Sequence, residues 1–99
     1  MRKITIDAVN AFMNNKPFSR GNTKVNVYKT DGVTILTLHD NEIAMKCHDT
    51  GKLTITNAGW FSKTTRERLN GLPDVSIKQK DYKWYLNGEL WDGLWTEVK

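Results

Sequence analysis

His39, Cys47 and His48 are the side chains of this 99-residue chain best suited to nucleophilic or metal chemistry, being its only imidazoles and its only thiol. Their spacing argues against both. A two-residue turn at Asp40-Asn41 sets His39 opposite Glu42 at one end of a hairpin. His48 then lies six residues further on, ~20 Å away at ~3.3 Å per residue, so the two imidazoles are not expected to share a metal. Cys47 and His48 are neighbours on a strand and point to opposite faces. Cys47 follows Ile43 and Met45 at strand spacing, which reads as an inert core thiol.

The carboxylates are no better placed. Asp31, Asp40, Asp49, Asp74, Asp81 and Asp92 all read as turn chemistry, and neither expected helix carries an acidic pair at i, i+3 or i, i+4. The glycines are scattered through hairpins and caps, so no phosphate-cradling loop is present. No catalytic set, no metal site and no cofactor is expected.

The remaining chemistry is recognition, and it concentrates in residues 57–73, Asn-Ala-Gly-Trp-Phe-Ser-Lys-Thr-Thr-Arg-Glu-Arg-Leu-Asn-Gly-Leu-Pro. This stretch predicts a short helix over about 62–70 with little apolar surface, Phe61 and Leu69 being its clearest core contacts. Ser62 can cap it by accepting from the backbone of Thr64 or Thr65; alternatively, Thr64 and Glu67 form a capping box. Asn70-Gly71 reads as a left-handed stop, with Pro73 just beyond. The density of hydroxyls is explained by capping alone. The same residues also offer a helix N-terminus, with free N–H groups and a positive dipole end, as an anion site. Lys63, Arg66 and Asn70 form one row, and Arg68 points to a flank. Trp60 either stacks on a partner or serves as a core lid. Trp60, Ser62, Lys63, Thr64, Thr65, Arg66, Arg68 and Asn70 are therefore the candidate binding residues.

Charge distribution adds to this picture. The net charge is +4, with six basic and three acidic residues between 63 and 83, then three acidic and no basic ones from Trp84 to Val98. That offset fits either internal charge complementarity or a basic face for an acidic partner. Hydrophobic content of 38% and charged content of 26% are those of a soluble globular chain, and the length suits one domain, residues 1–99. No apolar run reaches the ~20 residues of a bilayer span, and the first residues lack the apolar segment of a signal peptide. A single cysteine excludes an internal disulfide and suits a reducing cytoplasm.

The elements that must position these residues follow from periodicity. A helix over about 5–15 is capped by Thr5, stapled by Ile4 and Val9, and buries Ile6, Val9 and Met13, with Ala8 and Phe12 widening the stripe. Residues 18–23 read as a loop. Four strands follow, Thr23–Lys29, Val33–His39, Glu42–His48 and Leu53–Thr56, joined by turns short enough to force an antiparallel meander. Ile43, Met45 and Cys47 are expected on one face of the third. After the central helix come strands at Val75–Lys80 and Tyr82–Leu86, a turn at Lys80-Asp81, and the chain's strongest hairpin signal at Asn87-Gly88. Trp91 and Trp95 read as anchors. The fold class is α+β: an antiparallel meander plus a C-terminal hairpin, with two short helices (about 5–15 and 62–70) on the sheet.

Several motifs, Gly21-Asn-Thr-Lys-Val, Leu38-His-Asp-Asn-Glu-Ile-Ala, the whole of Thr56–Pro73 and Gln79-Lys-Asp-Tyr-Lys-Trp-Tyr-Leu-Asn-Gly-Glu-Leu-Trp-Asp-Gly, resemble a family of small bacteriophage proteins known as a domain of unknown function. The resemblance covers roughly residues 21–93 and carries no catalytic or binding assignment. It implies a phage product acting in the cytoplasm of an infected bacterium. Together with the missing catalytic set, it leads us to expect a non-enzymatic interaction protein that binds and modulates a host bacterial protein. The alternative is a DNA- or RNA-binding module using the basic capped helix.

Overall fold

A computed structural model describes residues 1–98. The chain runs α1 (Lys3–Met13), β1 (Phe18–Arg20), β2 (Thr23–Tyr28), β3 (Val33–Leu38), β4 (Asn41–Cys47), β5 (Leu53–Ile55), α2 (Lys63–Asn70), β6 (Ile77–Lys80), β7 (Lys83–Leu86), β8 (Glu89–Trp91) and β9 (Thr96–Val98). All strand pairs are antiparallel. They form a six-stranded sheet, β1-β2-β3-β4-β5-β9, and a three-stranded one, β6-β7-β8. The α+β class is as expected, and β8 follows the Asn87-Gly88 hairpin signal. The strands divide between two sheets rather than lying in one, and β9 returns to pair with β5, which was not expected. No helix among the described residues is long and apolar enough to cross a membrane.

Two-residue turns set the registers. At Asn87-Gly88 both residues have positive φ, and Leu86 stands opposite Glu89, as the Asn-Gly signal predicts. Two other turns sit one residue away from their expected places. His39 and Asp40 turn between β3 and β4, so Leu38 pairs with Asn41 and stays in the core. Asp81 and Tyr82 turn between β6 and β7, because burying Trp84 opposite Gln79 requires that register. Phe18–Arg20, expected as loop, is a strand: Gly21-Asn22 closes a hairpin that pairs Arg20 with Thr23.

A bulge in the β3–β4 ladder overturns the expected faces of β4. Leu36 pairs with Ala44 and Thr37 with Glu42, leaving Ile43 as the extra residue. Ile43 and Ala44 therefore both enter the core, and Lys46 follows them, while Met45 and Cys47 are only half-buried. The Lys46 Nζ donates to the Met13 carbonyl at 3.0 Å, neutralising the C-terminal end of α1.

α1 begins a turn earlier than expected. Arg2 is its N-cap and offers no side-chain bond. Thr5 is not a cap but fully buried, its hydroxyl taken by distant partners described below. The buried stripe is Thr5, Ala8, Val9 and Phe12, so Ile6 and Met13 face outward. α1 lies over β1–β3, and α2 packs against α1, β4 and β6. Phe12, Leu36, Ile55, Leu69, Trp84 and Trp91 belong to one continuous core. Trp95 is largely exposed and anchors nothing there. Gly71 is right-handed (φ −74°), not the expected left-handed stop. Its glycine is required by space, since an added Cβ would stand 2.6 Å from Thr5 Cγ2 and 3.0 Å from Val9 Cγ2.

Candidate interaction site

The segment before α2 is held by its own hydrogen bonds. Thr56 Oγ1 donates to the Gly93 carbonyl at 2.6 Å, and Asn57 N–H donates to the same oxygen at 2.9 Å. Ala58 N–H donates to Thr56 Oγ1, Gly59 N–H to Asn57 Oδ1, and Trp60 N–H to the Asn57 carbonyl. Ala58 and Gly59 both take positive φ, so the turn is tight. It pushes two aromatic side chains into solvent: Trp60 is 60% exposed and Phe61 57%.

Trp60 and Phe61 form a ridge between two concavities. On Trp60's side, a cleft of about 480 Å³ is lined by Leu38, His39, Ile43, Ser62 and Thr64 among others. On Phe61's side, a groove of about 690 Å³ has Trp84, Leu86 and Trp91 within it and Glu89 and Asp92 along it. Phe61 meets Trp84 edge-on, with ring centroids 5.2 Å apart at 74°. Trp91 Nε1 donates to Thr96 Oγ1 at 2.9 Å, whereas the buried Nε1 of Trp84 has no acceptor among the described residues.

Sequence reading placed Phe61 in the core. The contrary signal is local. Phe61 immediately precedes the N-cap, and the staple position four residues into the helix is Arg66, which offers no apolar partner. Tyr82 (96% exposed) and Leu90, both on the groove's lining, were not candidates at all.

The eight candidates divide. Trp60, Ser62 and Lys63 are exposed and Thr64 and Arg66 half-exposed, with Arg66 Nη1 donating to Gln79 Oε1 at 2.8 Å. Ser62 is the cap, accepting from Thr65 N–H at 3.1 Å, so the alternative box from Thr64 and Glu67 does not form. Ser62→Ala is accordingly expected to cost about 1 kcal/mol in thermal unfolding, and Thr64→Ala much less. Thr65 is buried and contacts Ser62 Oγ through its hydroxyl at 2.9 Å. Asn70 is occupied, its carboxamide accepting from Ile77 N–H at 2.6 Å and donating to the Ile77 carbonyl at 3.1 Å. Arg68 is the largest correction. It is 2% exposed, donating to Thr23 Oγ1 at 3.0 Å, to Thr5 Oγ1 at 2.8 Å and to the Glu67 carboxylate. It cannot contact a partner from there; it ties α2 to α1 and β2.

The imidazoles and the thiol have their own local partners. Buried Thr34 donates to Asn15 Oδ1 at 2.9 Å, and with that proton committed, His48 Nε2–H donates to Thr34 Oγ1 at 2.7 Å. Hydrogen bonds from the side chain and backbone of Thr50 hold the Cys47 thiol below its ordinary pKa. No group of three or more His, Cys, Asp and Glu side chains is arranged to hold a metal ion among the described residues.

In comparisons with known proteins, residues 1–97 match the family described as Kyanoviridae Gp96 protein. The match takes in α1, which lies outside the motifs that carried the resemblance. No curated protein and no solved structure matches the chain.

Proposed function

The chain belongs to the Kyanoviridae Gp96 family, a phage protein family of unknown function, and from that premise we propose that it is a non-enzymatic interaction protein that binds and modulates a host bacterial protein in the cytoplasm of the infected cell. The observation that carries this reading is the Trp60-Phe61 ridge between its two concavities. Large aromatic side chains left in water beside preformed grooves are the usual anchors of protein interfaces, where burial of the ring supplies most of the affinity. The turn from Thr56 to Trp60 holds the ridge in place before binding, which limits the ordering entropy that association costs. Glu89 and Asp92 outnumber the single cation Lys83 along the groove, which favours a partner that brings Lys or Arg to the rim of its aromatic contact.

The test is capture from lysate of the host bacterium with the tagged protein after nuclease treatment. One host protein is expected to be retained. The double variant Trp60→Ala, Phe61→Ala should bind it at least about tenfold more weakly, the loss typical of interface hot spots. Its melting temperature should stay close to that of the parent protein, because both rings are largely exposed. Undiminished capture by the double variant would remove the ridge from the interface. Absence of any retained protein would remove the reading itself.

A further inference from the structure

The small sheet has a second face, which meets the groove at Tyr82, Lys83 and Leu90 and is otherwise separate from it. Side chains alternate along β6, β7 and β8, and Ile77, Trp84 and Trp91 point into the core. The register Lys78–Tyr85–Leu90 therefore forms one row on the outer face, with the Lys80–Lys83 pair in the next. Lys78, Lys80 and Lys83 are exposed, and none of them forms an ion pair among the described residues. No carboxylate shares these rows: Glu89 pairs with Leu86 on the opposite face, and Asp81, in the turn beside Lys80 and Lys83, forms no ion pair with either among the described residues. Lys80 stands directly across from Lys83, a like-charge pair that costs stability unless an anion lies over it. At the turn between them, Tyr82 projects almost wholly into water, and Tyr85 lies half-exposed between Lys78 and Leu90.

We propose that this outer face binds single-stranded nucleic acid, with phosphates on Lys78, Lys80 and Lys83 and bases against Tyr82 and Tyr85. A basic row of three lysines against one turn carboxylate, interleaved with aromatic rings, suits a strand whose bases are free to stack. A duplex would present only its phosphates and leave the rings unused. Nucleic-acid binding by α2 is not supported in the form expected from sequence, because Arg68 and Thr65 are buried and Asn70 is occupied. The basic stretch of the sequence instead places three of its six cations on the sheet.

Fluorescence anisotropy with short labelled oligothymidylate and oligouridylate tests this directly. Binding is expected at low salt and should weaken as salt rises, with a log–log slope of about −2 if three phosphates are neutralised. The triple variant Lys78→Gln, Lys80→Gln, Lys83→Gln should lose at least about tenfold in affinity at low salt and flatten the slope. Tyr82→Ala should weaken binding while leaving the slope unchanged, which separates stacking from charge. Lys78 and Lys80 lie off both concavities, so the double variant Lys78→Gln, Lys80→Gln should weaken oligonucleotide binding yet still capture the host protein after nuclease, and failure here leaves the ridge reading standing. No binding by the parent protein at low salt would overturn the proposal. So would a triple variant, folded by circular dichroism, with unchanged affinity and slope. Displacement of the oligonucleotide by polyglutamate at equal charge concentration would also overturn it, in favour of a generic acidic partner.

Discussion

Arg68→Met is expected to cost about 3 kcal/mol of folding stability, measured by urea unfolding at neutral pH. The guanidinium is buried, and its partners come from three elements: Thr5 of α1, Thr23 of β2 and its neighbour Glu67. Thr5 in turn donates to Glu67, so one cation organises a closed network. Methionine fills much of the volume but leaves a largely buried carboxylate without its cation, and Thr5 and Thr23 each lose a donor. Arg68→Lys keeps the charge without the planar fork and should fall between the two. A loss under about 1 kcal/mol for the methionine variant would mean that the network does not hold α2 in place. Reading Arg68 as a surface residue predicts the opposite, an unchanged fold with weakened binding.

Gly93→Ala is expected to destabilise by about 3 kcal/mol, from left-handed backbone strain and a steric collision together. Gly93 has φ +86°, which an L side chain rarely adopts, and an added Cβ would fall into the Asn57 carboxamide. Asn57 is buried and its Oδ1 already accepts from Gly59, so it cannot swing aside without breaking the turn. The Gly93 carbonyl also receives two hydrogen bonds from the same turn. Loosening it should release Trp60 and Phe61 from their fixed orientation. Host-protein capture should therefore weaken even below the melting temperature. Gly21→Ala is the control: its φ is also positive, but the space around it is open, so only the strain of about 1 kcal/mol remains. Equal losses at the two positions, in parallel thermal melts, would show that the Asn57 collision contributes nothing.

Local features were legible in the sequence. Asn87-Gly88, the Ser62 cap, Leu69 in the core, the alternation of β2 and β5 and the motifs of a phage family each lie within a few residues of chain. Short-range sterics and hydrogen bonds decide such features, and they act the same way in any context. Trp60 was named as a candidate, with its exposure left open; the turn anchored on Gly93 decides that. The fates of Arg68 and Thr5 depend on each other across 63 positions of sequence. A polar helical residue gives no local sign of whether a distant partner will bury it. The face reversal in β4 has a similar origin, since a single extra residue at Ile43 inverts every side chain beyond it. Sequence by itself determined the two helices, the hairpins from β2 to β5 and around Asn87-Gly88, and the family, but not β1 or the return of β9 to β5. Only the tertiary structure decided which cations are buried, which aromatic rings face water and which lysines share a face, because those outcomes depend on contacts between segments far apart in the chain.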